Sequence, residues 1–328
     1  MTNKYLRRLC LGVVAAAAIV LSHFAPAILA QTGSSQGLTI SPFLLERDMQ
    51  KGDTFNEIID ITNTSSRTLP VDVTVNDFYP QGDQGEPVFV EAGQGDPHYS
   101  LSSWLKIISN PQPILQPGQQ TSINFSITPP ANAENGGHYG ALLFTFQGGP
   151  AEGSAVSVTQ KLGAIILVKL GQGTTAGDIN LFKTAKSFYE YPPVTFLTRF
   201  NNTGNVHVKP RGGIVITNWF GKKVATVLVN ENANNVLPAS QRQFTSVWNS
   251  TFAFGHYTAE AQLVYDTNGT IATAKTSFWV IPWRATLLFA VILFLLVMLL
   301  VWAVKAYNRR LIRKVYRAQQ KRDENNKQ

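Results

Sequence analysis

Along most of the chain, hydrophobic positions alternate with polar ones. Val71-Asp72-Val73-Thr74-Val75-Asn76, Ser122-Ile123-Asn124-Phe125-Ser126-Ile127 and residues 259–265 all follow a period of two. That period puts apolar side chains on one face and predicts half-buried β-strands. Turn-forming clusters interrupt the runs: Gln116-Pro117-Gly118, Asn135-Gly136-Gly137, Thr203-Gly204-Asn205 and Asn268-Gly269. Between 38 and 281 no segment carries apolar residues at helical spacing. Short strands, frequent turns and no helices predict an all-β fold of antiparallel sandwiches.

Internal similarity refines this to two tandem Ig-like sandwiches. Gly137-His138-Tyr139-Gly140-Ala141 recurs as Gly255-His256-Tyr257-Thr258-Ala259, 118 residues later. A proline-marked turn precedes each, Leu115-Gln116-Pro117-Gly118 and Leu237-Pro238-Ala239-Ser240. Earlier still, Ile61-Thr62-Asn63-Thr64-Ser65 resembles Phe200-Asn201-Asn202-Thr203-Gly204. The Asn-Thr and Gly-His-Tyr landmarks are 74 residues apart in the first copy and 54 in the second, which places an insertion between Asp77 and Ser100. Tyr139 and Tyr257 stand where a sandwich's sixth strand begins, and both are expected to be structural corner residues bonding back to the preceding turn. The expected domains are 38–170 and 179–282, joined by the small, polar linker 171–178.

Two apolar runs lie outside these copies. Residues 1–30 hold Lys4, Arg7 and Arg8, then an apolar stretch and Ala25-Pro26-Ala27, the pattern of a signal peptide; 31–37 is a spacer. Residues 285–304 carry no charge and, at ~1.5 Å per residue, match a ~30 Å hydrocarbon core. This predicts a transmembrane helix over 283–304, with Trp283, Trp302 and Tyr307 as interface anchors. The tail 305–328 follows with Lys305, Arg309, Arg310, Arg313 and Lys314, which set it inside the cell and the sandwiches outside. A cell-wall sorting signal is not present before the helix, where Val280-Ile281-Pro282-Trp283 stands.

Charge and cysteine narrow the chemistry. The chain of 328 residues has a formal charge of +8, but the ends hold +3 and +7 while 31–304 carries −2. A basic nucleic-acid-binding domain is therefore not expected. The single cysteine, Cys10, lies in the signal segment, so no disulfide framework or cysteine-based zinc site is expected. Histidines occur singly, without the i, i+4 pairing of a helical zinc clamp. Gly33-Ser34-Ser35-Gln36-Gly37 and Gly171-Gln172-Gly173-Thr174-Thr175-Ala176 match a nucleophile elbow and a dinucleotide fingerprint. Neither is followed by the helix those motifs require.

No enzyme site emerges, and no cofactor is expected. The one place with carboxylates enough to attract Ca2+ is the segment 77–96, read as an acidic loop with Asp77, Asp83, Glu86, Glu91 and Asp96. His98, Tyr99 and Trp104 follow it and are the candidate binding residues, since flat rings beside polar loops suit glycan or protein ligands; Trp104 fits a sandwich core equally well.

The chain resembles bacterial cell-surface proteins of the WxL-interacting group, built on the DUF916 domain. The resemblance covers about 38–170 and rests on Lys51-Gly52-Asp53, Ile61-Thr62-Asn63-Thr64-Ser65, Leu115-Gln116-Pro117-Gly118-Gln119, Pro129-Pro130 and Gly136-Gly137-His138-Tyr139-Gly140-Ala141-Leu142. It implies a first domain that binds peptidoglycan and a second that meets a partner protein or host surface; the second domain here shows no family motif. The expectation is a non-enzymatic, single-pass surface protein that binds cell-wall polymer or a surface protein. The alternative is a structural spacer holding an extracellular complex at the membrane.

Overall fold

The computed structural model describes residues 37–148 and 159–325. The expected signal peptide and nearly all of the spacer lie outside the described residues. The first half runs through β1 (Leu38–Ser41), β2 (Leu44–Met49), β3 (Phe55–Asn63), β4 (Leu69–Gln81), β5 (Glu86–Glu91), β6 (Leu105–Ile107), β7 (Ile114–Leu115), β8 (Gln120–Ile127), β9 (Gly136–Gln147) and β10 (Thr159–Leu170). The second comprises β11 (Gly177–Thr184), β12 (Phe188–Tyr189), β13 (Val194–Asn202), β14 (Arg211–Asn218), β15 (Lys223–Val229), β16 (Ser240–Trp248), β17 (Gly255–Val264) and β18 (Ile271–Val280). Among the described residues a long helix, α1 (Trp283–Asn325), follows the last strand. The molecule is thus mostly β-sheet with a C-terminal apolar helix, as the alternation predicts.

In the first half a sheet ordered β1-β3-β8-β6 faces one ordered β2-β10-β9-β4-β5. Ile59, Ile61 and Phe125 from one meet Val71, Phe144 and Ile166 from the other in a single buried cluster. The first strand divides at Pro42, so β1 pairs with β3 whereas β2 runs parallel to β10. In the second half β11-β13-β16 faces β12-β18-β17-β14-β15 around Phe196, Phe200, Trp248 and Phe278. β13 shows the binary pattern at its clearest: Val194, Phe196, Thr198, Phe200 and Asn202 are buried and the residues between them are not.

The Asn-Thr landmark has a shared physical cause. Asn63 ends β3 fully buried, its amide nitrogen donating to the carbonyls of Arg67 and Leu115 while its oxygen accepts from Ser65. Asn202 ends β13 in the same way, donating to Val206 and Val236 and accepting from Gly204. Each asparagine ties the turn after its strand to the chain entering the proline-marked turn. Buried backbone carbonyls need such partners, since an unmet polar group costs ~1–3 kcal/mol.

Two expected boundaries shift. Asn135-Gly136-Gly137 is not a free turn, because Gly136 already opens β9. The insertion between Asp77 and Ser100 is not a loop: β4 and β5 form a hairpin across 69–91, turning at Gly82 and Gly85, whose φ values of +68° and +63° favour glycine.

α1 contains a stretch, Trp283–Arg309, long and apolar enough to cross a membrane. Trp283 and Trp302 stand 19 residues apart in it, about 28 Å along a helix axis. Lys305 and Arg309 lie beyond Trp302, and the helix continues through positions 310, 313 and 314. Replacement Asn202→Ala leaves two buried carbonyls and one N–H unmet and is expected to lower unfolding stability by about 2–4 kcal/mol. Asn201→Ala, one position away and half-exposed, should change it by less than about 0.5 kcal/mol. Chemical denaturation of the full chain in micelles separates the two.

Candidate functional site

The candidate binding residues lie on one connected segment, 93–104, that the end of β4 and the start of β9 hold in place. Asp77 anchors it from beneath. Its carboxylate is buried and accepts from the Gly93 N–H (2.8 Å), the Ser100 hydroxyl (2.8 Å), the Ser102 N–H (3.2 Å) and the Ser102 hydroxyl (2.9 Å). A buried carboxylate with four donors is satisfied by the chain itself. The acidic segment therefore differs from the expected open loop: its first acid is a structural anchor, and Asp83 is engaged elsewhere. Among the described residues no three His, Cys, Asp or Glu side chains gather as a metal site.

From above, β9 zips onto the segment. The Tyr139 N–H donates to Tyr99 O (2.7 Å) and the Leu101 N–H to Tyr139 O (3.1 Å). A short 3-10 turn, Ser102–Trp104, then sends Trp104 inward, where it is only 9% exposed and packs into the first hydrophobic cluster. Of its two expected places, binding face and sandwich core, Trp104 takes the core. Its ring lies 4.2 Å from that of His138. The His138 Nε2–H donates to Glu134 O (3.0 Å), and burial pushes the imidazole pKa below its usual value.

His98 does face solvent. Its Nδ1 lies 3.1 Å from the Glu134 carboxylate, and the hydrogen bond and negative charge of Glu134 raise its pKa. Between these groups opens a concavity of about 600 Å³, with His98 and Glu134 at its mouth, Ser102, Ser103 and Asn132 on its walls, and Pro130, Ala133 and the Trp104–His138 pair below. Tyr99 points the other way, toward Tyr139 (6.2 Å between rings) and a second concavity of about 260 Å³ that Leu237, Pro238 and Ala239 complete.

That second hollow lies where the two halves meet, and here the repeated tyrosines part company. Tyr257 folds back on its own turn: the Phe254 N–H donates to its hydroxyl (3.1 Å), which lies 3.3 Å from Phe254 O. Tyr139 does not make a corner. Its hydroxyl passes over Gly137, where a Cβ would collide with it, and faces His207 Nδ1 of the second half at 3.4 Å. Burial raises the Tyr139 pKa far above that of a free phenol and lowers that of His207.

Tyr139, Phe78, Ala141 and Leu167 form an apolar cluster with Leu237. Around it, the Gly137 N–H donates to Asn205 O (2.7 Å), and the Asn205 side chain donates to Asn135 O (3.1 Å) and accepts from the Thr174 N–H (2.6 Å). On one flank Glu46 accepts from Lys209 and Asn235. Burial alone would raise the Glu46 pKa, but those two hydrogen bonds outweigh it and hold the carboxyl below its usual value. On the other flank Arg199 reaches Asp83 at the tip of the β4–β5 hairpin (2.7 Å), whose carbonyl also accepts from the Gln243 N–H. The insertion is thus a clasp between the halves, and residues 171–176, expected as a linker, are pinned between Met49 O and the Asn205 turn.

Sequence reasoning met Asp77 only as one acid of a possible Ca2+ loop and Asn205 only as a turn residue, and did not reach Glu46. At the junction, only Tyr139 carried a further signal, as part of a repeated motif, and that motif reads the same in both copies.

No family model matches this sequence, and no curated protein matches it. Among solved structures it is similar to the class 5 fimbriae chaperone CfaA, at 14% identity over 74% of this chain and 99% of that one, with a TM-score of 0.37. It is also similar to the E. coli chaperone DraB (12% identity, 74% and 96% of the two chains, TM-score 0.33). A chain of the CsuC–CsuE chaperone–tip adhesion subunit complex of Acinetobacter baumannii matches at 12% identity over 73% and 97%, with a TM-score of 0.36.

Because His138 and His207 are held below the ordinary histidine range, the unfolded chain takes up protons first as pH falls through about 6.5. Stability is then full above that pH and decreases below it. The melting temperature is expected to fall between pH 7.5 and 5.5, and less steeply in His207→Asn. Removing the anchor, Asp77→Ala, leaves donors from Gly93, Ser100 and Ser102 unmet and should open segment 93–104 to rapid amide exchange.

Proposed function

We propose that the chain is a non-enzymatic, membrane-anchored bacterial surface protein of the WxL-interacting type. Its two tandem Ig-like sandwiches stand outside the cell on helix α1, and its basic tail lies inside. The 600 Å³ concavity on the first sandwich takes a cell-wall glycan strand or its peptide. The observation that carries this reading is the combination at that concavity. An exposed imidazole–carboxylate pair, His98 and Glu134, stands at the rim, with Asn132 and Ser103 beside it and the edge of Trp104 at the floor. Such a surface offers donors and acceptors for hydroxyl and amide groups and an apolar floor for a sugar face. The run of Lys305, Arg309, Arg310, Arg313 and Lys314 after the apolar stretch supports the orientation.

A second reading, the spacer, draws support from the junction, where ion pairs on two flanks and the Asn205 bonds fix one half against the other. A rigid stalk serves either role.

Full-length protein in detergent micelles is expected to be retained saturably on purified peptidoglycan at both low and high salt. The double variant His98→Ala, Glu134→Ala should weaken retention about tenfold, the equivalent of ~1.4 kcal/mol, while Thr251→Ala, exposed in the β16–β17 turn at the helix-proximal end, should not. Absence of any retention by the native chain would sink wall binding and leave the spacer.

A further inference from the structure

Every exposed aromatic side chain between 177 and 282 lies at one end of the second half. Strand registers establish this. Tyr189 and Gly255 both pair with Val280, Asn218 pairs with Tyr257, and Val194 pairs with Trp248. The turns after β12, β14 and β16 therefore leave the sheets at the same level, the level at which β18 ends and α1 begins. They carry Tyr191, Trp219, Phe220, Phe252 and Phe254, with Trp279 on the last strand beside them. Phe220 is 81% exposed and Phe252 73%, values that water alone does not favour for a phenylalanine at a turn. At the opposite end the turns are polar, with Thr203, Asn232, Asp266 and Asn268.

The spacing to the helix decides what this surface meets. Only Ile281 and Pro282 separate β18 from α1, and both ends of that link are tied: the Ile281 N–H donates to Tyr189 O and the Trp283 N–H to Ile281 O. No slack intervenes. If α1 enters hydrocarbon near Trp283, the loops projecting past Val280 stand within the headgroup layer, about 5–7 Å deep on each side of the core. Tryptophan and other amphipathic rings favour that layer. Charge agrees with it. Lys186, Lys222, Lys223 and Arg284 lie at this end against one acid, Glu190, which Arg284 already faces at 3.7 Å.

We propose that this end is a membrane seat: the aromatic turns after β14 and β16 enter the outer headgroup layer, and Lys186, Lys222 and Lys223 beside them meet anionic lipid phosphates. The proposal rests on the reading of α1 as a membrane span. It replaces a picture of an ectodomain swinging on a tether with one held upright by several contacts.

The test uses the full chain with Cys10→Ser, reconstituted in phosphatidylglycerol–phosphatidylcholine vesicles and carrying one nitroxide-labelled cysteine at a time. Thr251→Cys sits exposed in the β16–β17 turn between the aromatics, Asn268→Cys in the opposite turn, and Leu293→Cys in mid-helix. The seat predicts that label 251 is at least fivefold less accessible to a water-soluble relaxation agent than label 268, and that label 293 is deep in lipid. With Phe220→Ser and Phe252→Ser added, label 251 should become as accessible as 268. A deep 293 with a freely accessible 251 overturns the seat and leaves the anchor standing. A water-exposed 293 overturns the anchor and the seat with it. If 251 stays shielded after the two phenylalanines are removed, the cover is not made by these rings and the assignment falls.

Discussion

The arrangement depends on one constraint: β9, with β10 beside it at Leu167, is buried on both faces. On the inner face Leu142, Phe144, Ile166 and Val168 fill the first hydrophobic cluster. On the outer face Tyr139, Ala141 and Leu167 would lie partly open to water if the first half stood alone. Phe78 and Phe89 of the β4–β5 hairpin cover part of that face, and Leu237 of the second half closes it. Burial of such side chains is worth ~1.5–3 kcal/mol each, whereas partly exposed ion pairs contribute less than ~1 kcal/mol. The apolar cluster therefore holds the halves together, and the pairs Asp83–Arg199 and Glu46–Lys209 fix their rotation. Gly137 makes the fit feasible, since its missing side chain gives room to the Tyr139 ring and lets its N–H reach Asn205.

The same elements shape the concavity. β4 runs from the core through Asp77 to the hairpin tip at Asp83, so one strand both anchors segment 93–104 and clasps the second half. Tyr139 works likewise: its backbone pins Tyr99 and Leu101 while its ring closes the junction. A ligand that pressed on the segment would load the junction directly. Coupling between these places needs no long pathway, because they share residues.

The sequence made some of this legible and not the rest, for physical reasons. Alternation in Val71 to Asn76 and Ser122 to Ile127 marks strands with one wet face, and those strands lie where the pattern puts them. The match between Asn63 and Asn202 survives in sequence because both do the same local work over a few residues. The run Ala141-Leu142-Leu143-Phe144 lacks alternation, the trace of a strand covered on both sides, but nothing in it names what covers the second side. Tyr139 and Tyr257 sit in matching words yet bond to different partners, since the partner of Tyr139 lies 68 residues away in the other half. Trp104, His98 and Tyr99 cluster in the sequence, but a single 3-10 turn sends one ring inward and leaves another out. Trp219, Phe220 and Phe252 are scattered along the chain and converge only through register.

A seated second half fixes more than its own tilt. β17 spans ten residues from the helix-proximal end at Gly255 to Val264, a rise of about 30 Å. The junction residues Asn205 and Leu237 belong to the turns beyond that far end, and the concavity with His98 and Glu134 begins just past them. If the proposed seat sets β17 along the membrane normal, the concavity stands about one strand length, ~30 Å, above the lipid surface. A ligand anchored in the wall could be met at that height without unfolding or stretching the protein. A ligand at the lipid surface could not reach it. The geometry thus ties the two proposals together in one direction: loosening the seat would let the concavity sweep toward the membrane, whereas breaking the concavity would leave the seat unchanged.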